Sequence, residues 1–481
     1  MDERLNFARW TRPENLLLLF FLAALAWAPF PYGSNRTWAE LLLALGFGSI
    51  LFLWSGVALT GLASVTSLAR RLLMPALCLA VALGWGLLQS LDLNLLQQMT
   101  GLPFKHLAHP VWALTATTLG TNIGAYISVD PEKTREALLA ASLSVASFLI
   151  AFNLARERER ANVLINGIIA ISLAYAIAGV ASFYLKVDLQ SWLMPDGRAD
   201  LGRLSGPFVN PNHFATFMAL GTLAALGTFV ESVRQSVVWD RGWRILLRSG
   251  IHTLTGPNAF RLAAIVFMLS ALLFTQSRGA VLALIAGIMA LAIMLSVGRD
   301  LSPGEASGRR AIVAILVAVL GASIALSADP LLNRVQMQGM TDTTRTSLLG
   351  SAIRAIQTAP LTGHGFGAFQ RYYPIFADGT VPGDVDEAHD DVVETLSDLG
   401  LPAGLAYMAA PVLLASMCFA GCFRRRRDRV FPAVGFAASI AVGLHAFADF
   451  GLQIPAVAVT YAALLGAGVA QSWRTNMDLV R

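Results

Sequence analysis

Long apolar runs alternate with short polar segments along this chain, and the runs have the length of membrane-spanning helices. A helix needs about 20 mostly apolar residues to cross the hydrocarbon core of a bilayer. The runs lie at 14–32, 38–59, 72–90, 137–155, 162–184, 210–230, 260–276, 279–297, 311–327, 401–423, 430–450 and 452–472. This pattern predicts an all-α polytopic membrane protein with about 12 transmembrane helices. A long, partly helical polar loop separates the ninth helix from the tenth.

The composition agrees with this prediction and excludes a soluble globular class. Hydrophobic residues make up 56% of the chain, charged residues make up 14%, and the mean hydropathy is +0.61. Soluble domains carry about 25% charged residues. The net charge of +5 comes from arginines in short loops, so nucleic acid is not an expected partner. The first run has no convincing cleavage site, and we predict a retained span there, not a signal peptide.

Arginines are concentrated in alternate connections between the apolar runs. Short cytoplasmic loops of membrane proteins are enriched in Lys and Arg. Arginine-rich segments occur at 70–71, 156–160, 234–261, 299–310 and 424–429, and near both ends of the chain. We therefore predict that both termini are cytoplasmic. The outer face then carries the segments 91–136 and 185–209, the turn at Arg278 and the loop 328–400.

The outer segment before the sixth run combines a cation with a predicted helix start. Asn210 is a good N-cap and Pro211 suits the first helical position. The positive end of that helix would lie beside Arg203, and such an arrangement can bind an anion. A capped helix accounts for Asn210 and Asn212 without any further role. It does not account for Arg203 on the side where arginine is scarce, and His213 follows in the same segment.

A second outer cation, Arg278, lies between two apolar runs. An ionisable residue at such a position is a candidate for function. The structural alternative is an arginine that ends a span and extends its head group to the interface. We favour a functional role.

The long loop contains a predicted amphipathic helix followed by a glycine-rich turn. Apolar residues recur at helical spacing between Arg345 and Ile356, so this stretch should lie on the membrane face or pack on the spans. The turn at 360–369 lacks the Lys and the flanking strand of a phosphate-binding loop. Tyr372 and Tyr373 suit an interfacial belt better than a sugar site.

The end of the long loop places a histidine among carboxylates just before the tenth run. Asp391 and Glu394 fit a capping box with Asp391 as the N-cap, and we favour this structural role for both. His389 stands one or two residues before that helix, where an imidazole can act as a general base. The acidic residues from Asp384 to Asp391 are an alternative cation site, although they lack the spacing of a calcium loop.

A further histidine and carboxylate lie near the outer end of the eleventh run. His445 and Asp449 are four residues apart, so that on a helix their side chains share one face. Ionisable groups in a span are costly unless they are paired. Mutual pairing and a role in a site both remain open.

These stretches, in this order, resemble the O-antigen ligase and polymerase superfamily of bacterial envelope glycan assembly. The similar segments are 203–215, 274–280, 360–369, 388–404 and 449–455. The resemblance covers nearly the whole chain and implies a single membrane domain, 1–481. It also implies that the loop 328–400 is periplasmic and carries part of the active site.

The resemblance implies an enzyme of the bacterial inner membrane whose active site faces the periplasm. Such enzymes move a glycan from undecaprenyl diphosphate to an acceptor hydroxyl, by inversion and without metal or cofactor. His389 would be the catalytic base, and Arg203 and Arg278 would bind the lipid diphosphate. Possible supporting residues are Arg345, Asn212, His213, Asp391, His445 and Asp449. The implied partners are the undecaprenyl-diphosphate-linked glycan, a lipid- or glycan-linked acceptor and membrane lipids.

The sequence departs from the family pattern after the histidine and leaves the exact activity open. Asp390 and Val392 stand where the family often has Asn and an aromatic residue. A ligase of lipopolysaccharide or exopolysaccharide assembly and a repeat-unit polymerase are both compatible with the sequence. The alternative from another class is a secondary transporter, which should place ionisable residues near the bilayer midplane.

Overall fold

The computed structural model describes residues 12–61, 67–187, 202–236, 256–296, 343–381, 385–425 and 428–473. Within these ranges the chain forms α-helices, 3-10 turns and loops, with no β-strand. The helices are α1 Pro13–Trp27, α2 Thr37–Leu59, α3 Leu73–Gln89, α4 Leu93–Thr100, α5 Pro110–Leu119, α6 Pro131–Leu154, α7 Arg158–Leu185, α8 Pro211–Ser236, α9 Pro257–Phe274, α10 Arg278–Ser296, α11 Thr343–Thr358, α12 Phe369–Phe376, α13 Asp391–Arg424, α14 Val430–His445 and α15 Pro455–Ala470. The predicted all-α class is confirmed.

Eight helices of the described ranges are long and apolar enough to cross a membrane, namely α2, α3, α6 to α10 and α13. Three shorter apolar helices, α1, α14 and α15, correspond to further predicted spans. The remaining predicted span, 311–327, lies outside the described residues. The pair at 260–276 and 279–297 is two separate helices, joined by the three residues Thr275 to Ser277.

The helices surround a core formed by α8 and α15. The apolar window of α8 is buried along its whole length, whereas α2 and α3 expose most of theirs, as lipid-facing helices do. Small residues allow close packing at the centre. A Cβ on Gly221 would lie 2.5 Å from Ser172, and one on Gly466 would lie 2.6 Å from the Phe148 carbonyl oxygen.

Arginines from separate connections meet at one end of the helix assembly. At one end Arg158 pairs with Asp428 at 2.9 Å, and Arg71 lies over the ring of Trp473. Arg425 donates to the backbone carbonyl of Gln471. These arginines come from connections that the sequence assigns to the cytoplasmic side. The loops assigned to the outer side meet at the opposite end, so the alternation in the sequence corresponds to two distinct ends of the molecule.

The outer end is covered by a layer of short helices and turns. The predicted amphipathic helix forms α11, which packs on α13 and α12 through Leu348, Ala352 and Ala355. Ile353, predicted on its apolar face, is exposed instead. The described part of the 328–400 loop therefore packs on the membrane-spanning helices.

A glycine-rich turn supports a break in α13. Gly400 has φ 76° and ψ 163°, which divides α13 into an outer part and a membrane-spanning part. The amides of His364 and Gly365 donate to the carbonyls of Ser397 and Asp398, at 3.1 and 3.0 Å. Those carbonyls end the outer part and would otherwise lack partners. The turn therefore caps the outer part of α13.

Candidate active site

His389 lies at the outer end of the molecule, immediately before helix α13. Its φ of 57° is in the left-handed region, which a residue with a side chain rarely adopts. Strained backbone of this kind occurs at functional sites. The His389 Nδ1 lies 3.4 Å from an oxygen of Asp449, and the His389 side chain keeps 35% of its surface exposed. The imidazole is thus held on one side and accessible on another.

Asp449 is a completely buried carboxylate that faces His389 and His213. The sequence left open a pairing of His445 with Asp449 on one helix face. That helical arrangement is not formed, because α14 ends at His445 and Asp449 lies in the connection to α15. The His445 Nδ1 instead forms a hydrogen bond with the Thr216 hydroxyl oxygen, at 2.9 Å. The second Asp449 oxygen is 4.0 Å from the His213 Nε2, and neither of these two atoms has a hydrogen-bond partner among the described residues.

The neighbouring histidines keep Asp449 ionised. Burial alone would raise its pKa, but the hydrogen bond from His389 and the positive charge that His213, His445 and His389 can carry outweigh burial and lower the pKa to about 2. Phe450 packs its ring edge-on against His213 and His389, with centroids 4.6 and 5.0 Å away. A buried anion and an aromatic ring therefore fix the two imidazoles.

The start of α13 differs from the predicted capping box. Asp390, not Asp391, is the N-cap, and its side chain accepts from the amides of Val392 and Val393 at 3.0 Å. Asp391 is helical and accepts from the Leu452 amide at 3.1 Å. Glu394 accepts from the Ala388 amide and from the Gln453 side chain. The prediction failed because Asp391 and Glu394 are buried and accept hydrogen bonds from groups outside the helix. These groups lie in the segment after Asp449 and at Ala388.

The loop that carries Arg203 meets the turn that carries Arg278. The amide of Leu204 donates to the carbonyl of Phe274 at 3.2 Å, so the residue after Arg203 is bonded to the end of helix α9. Arg278 is the first residue of the next helix. A Cβ on Gly279 would lie 3.1 Å from the His445 ring. Residues 203, 278 and 445 thus belong to adjoining segments at the outer end.

Arg345 and Asn212 lie beside the same group. The charge of Arg345, near the start of α11, acts on His445. The predicted cap at Asn210 is confirmed, because its side chain accepts from the Asn212 amide at 2.9 Å. The Asn212 carbonyl in turn accepts from the Thr216 hydroxyl that contacts His445. Asn212 therefore contributes through its backbone.

Sequence reasoning missed the buried polar group beneath the glycine-rich turn. The Tyr372 hydroxyl donates to Asp398 at 2.7 Å and lies within hydrogen-bond distance of Ser397, and the Tyr372 ring is wholly buried. Tyr372 is therefore not part of an interfacial belt. The one available signal was Asp398 itself, a carboxylate between the predicted capping box and the tenth apolar run.

The described residues contain no group of three or more His, Cys, Asp or Glu placed to hold a metal ion. Asp384, part of the carboxylate cluster considered for a cation, lies outside the described ranges. The arrangement can instead support proton transfer at His389 and charge stabilisation by arginines. Both belong to one end of the molecule.

Part of the chain is similar to a known protein family. Residues 263–408 match a family model described as O-antigen ligase. The matched stretch includes Arg278, Arg345 and His389. It begins after Arg203 and ends before Asp449. No curated relative matches the chain. Within residues 263–408, the match confirms the resemblance to the O-antigen ligase superfamily.

Proposed function

We propose that this multi-pass membrane protein is a glycosyltransferase of O-antigen ligase type. It moves a glycan from an undecaprenyl-diphosphate-linked donor to an acceptor hydroxyl at the periplasmic face of the inner membrane. The observation that carries the proposal is the contact of the partly exposed His389 with the buried Asp449, at 3.4 Å, in an outer layer that also holds the Arg203 and Arg278 segments.

His389 acts as the general base for the acceptor hydroxyl. Ionised Asp449 accepts a hydrogen bond from Nδ1–H, which leaves the lone pair on Nε2. A base oriented by a buried carboxylate is a recurring catalytic arrangement. The separation of 3.4 Å is long for such a bond, but catalytic hydrogen bonds often shorten when substrate binds.

Arg203 and Arg278 stabilise the leaving group. The acceptor oxygen bonds to the anomeric carbon as the bond from that carbon to the phosphate oxygen breaks, and the lipid diphosphate leaves with the electron pair. Guanidinium groups neutralise the charge that develops on the diphosphate. The displacement inverts the anomeric centre, and no metal is needed for charge compensation. Asp390, as a helix cap with both backbone bonds made, is turned toward its own helix.

Two alternatives differ in what they predict. A repeat-unit polymerase would use the same residues with a glycan-linked acceptor. A secondary transporter is disfavoured, because the candidate groups lie in loops and helix ends at one face instead of in interrupted helices at mid-depth. The remaining partners are the lipids of the bilayer, and nucleic acid is not among them.

The test is glycan transfer by purified variants in lipid nanodiscs with a lipid-diphosphate-linked donor. His389→Ala and Arg278→Ala should abolish transfer at unchanged protein level. Arg371→Ala is the matched control, because Arg371 is also an arginine of the outer layer but pairs with Asp130 at 3.1 Å. Normal transfer by His389→Ala would overturn the assignment of the base. Loss of activity in chelator would overturn the metal-independent mechanism.

Analysis of glycans from a deletion strain separates ligase from polymerase. Unlinked chains of full length indicate a ligase, and loss of chain length indicates a polymerase. Unchanged glycans together with altered uptake of a small solute would favour the transporter.

A further inference from the structure

The outer layer carries an apolar stripe that no described part of the protein covers. Leu95 and Met99 are four residues apart and share one face of α4, and Leu102 follows just after Gly101, the left-handed residue that ends the helix. Their exposed fractions are 56%, 76% and 55%. On the other side of the helix, Leu93 is completely buried. The helix is therefore held by one face and presents an apolar face outward.

This stripe continues the lipid-facing surface of the preceding span. Helix α3 exposes Leu77, Val81 and Leu87, and Leu91 in the connection to α4 is also exposed. Only three residues separate the end of α3 from the start of α4. Helix α5 adds two more exposed apolar residues, Leu114 and Leu119. Exposed apolar residues thus run from a membrane-spanning helix through Leu91 onto α4, and α5 carries two more of them.

The threonine hydroxyls of these short helices are already satisfied. The hydroxyls of Thr100, Thr115, Thr117 and Thr118 each donate to a carbonyl of their own helix. Such back-bonding removes the need for water around a hydroxyl. Lys105, in the turn Phe104–Leu107 between α4 and α5, is exposed and can reach lipid phosphates.

The backbone fixes the orientation of the stripe. The Leu93 amide donates to the Ala125 carbonyl at 2.7 Å, and the His109 amide donates to the Tyr126 carbonyl at 2.8 Å. The Trp112 indole donates to the Ser128 carbonyl at 2.9 Å. These bonds hold α4 and α5 against the outer layer, so the apolar stripe cannot turn inward without breaking them.

We propose that α4 and α5 form an interfacial platform that lies in the outer leaflet of the bilayer, with Leu95, Met99 and Leu102 among the acyl chains. An amphipathic helix with one apolar face and one polar face lies in the plane of the membrane interface, with the apolar face towards the acyl chains. The Gln89 side chain, at the end of α3, donates to the Thr362 and Asp398 carbonyls. Helix α3, which leads into the platform, is thereby bonded to the glycine-rich turn and to α13. The proposal does not depend on the reaction at His389.

Single nitroxide labels in lipid nanodiscs test the platform. Leu95→Cys and Met99→Cys place labels on the stripe, and Asn94→Cys and Thr100→Cys place matched labels on the polar side of the same helix. The background carries Cys78→Ala, because Cys78 is partly exposed while Cys418 and Cys422 are buried. The measurement is the collision rate of each label with oxygen, which concentrates in lipid, and with a water-soluble nickel chelate.

Labels at Leu95 and Met99 should favour oxygen over the nickel chelate several-fold more than labels at Asn94 and Thr100. Equal access of the nickel chelate to all four positions would overturn the proposal, because the stripe would then face water. Protection of Leu95 and Met99 from both reagents would also overturn it, because protein would then cover the stripe. Dipolar broadening between labels would identify that protein as a second copy of this chain.

Discussion

The carboxylates around His389 have separate partners although they are close in sequence. Asp390 caps α13. Asp391 accepts a hydrogen bond from the Leu452 amide, and Glu394 accepts one from the Ala388 amide. Asp449, sixty residues further along the chain, is the carboxylate that contacts His389. Each acid can therefore be tested by a change that alters one of these contacts.

Asp390 should be replaceable by Asn but not by Ala. The Asp390 side chain accepts from two backbone amides, and the amide oxygen of Asn can accept the same bonds. Loss of an N-cap costs about 1 kcal/mol. We expect Asp390→Ala to lower the unfolding temperature in detergent and Asp390→Asn to leave it nearly unchanged. An equal loss of stability in both variants would show that the charge of Asp390, and not the cap, supports the helix start.

Glu387 should make the protein less stable as pH rises. Burial and the neighbouring Glu394, to which Glu387 is hydrogen-bonded, raise the pKa of Glu387 well above its ordinary value of 4.5. Above pH 4.5 the unfolded chain releases this proton while the folded chain retains it. Unfolding is therefore increasingly favoured as pH rises from 4.5 towards the folded pKa. Thermal unfolding measured across this range should show the decline.

Glu387→Gln should reduce this decline, because Gln keeps a hydrogen-bond donor and does not ionise. The exposed Glu132 provides the control, and Glu132→Gln should retain the wild-type pH dependence. If Glu387→Gln and the wild type follow the same pH curve, Glu387 is not protonated in the folded state.

At the scale of elements, most helices could be predicted from the sequence because apolar length and caps are local properties. Asn210 begins a helix where expected. The contact between His389 and Asp449 could not be predicted, since the apolar pattern continues past His445 and gives no sign that α14 ends there. Tyr372 was misread for a related reason, because its partner Asp398 lies on another element.

The break in α13 depends on the space that Gly363 leaves. A Cβ on Gly363 would lie 2.1 Å from the Asp398 carbonyl oxygen and 2.5 Å from the Gly400 amide nitrogen. Both are backbone atoms and cannot rotate away. Gly363 also has φ +66°, where a residue with a side chain costs about 1–2 kcal/mol.

Gly363→Ala should destabilise the protein more than Gly379→Ala. Gly379 has φ +76° but no atom within 4 Å of an added Cβ, so its substitution isolates the cost of the backbone conformation. Thermal unfolding and proteolysis of the outer loop would measure the difference. Equal effects of the two substitutions would mean that the turn can move away from α13.

At the scale of the whole molecule, the outer layer is connected by a pair of neutral histidines. His109 accepts from the Val111 amide at Nδ1, and its Nε2 lies 3.1 Å from the His364 Nδ1. The His364 Nε2 lies 3.0 Å from the Ala355 carbonyl, which can only accept. These contacts fit one arrangement, in which His109 donates to His364 and His364 donates to Ala355. A proton added to the His109 Nδ1 would face the Val111 N–H, and one added to the His364 Nδ1 would face the His109 Nε2–H.

Acid should therefore loosen the segment 93–127 from the glycine-rich turn. Burial, and then the charge of His364, lower the pKa of His109 to about 4 from 6.5. As pH falls below 6.5, His109 binds a proton when the segment is released, but in the attached segment it stays neutral until about pH 4. Attachment therefore weakens across that range.

Hydrogen exchange of residues 93–127 should be faster at pH 5 than at pH 7, after correction for intrinsic rates. His109→Asn should remove this difference, whereas the control substitution of the exposed His106 by Asn should keep it. Unchanged pH dependence in His109→Asn would place the acid-sensitive contact elsewhere in the outer layer.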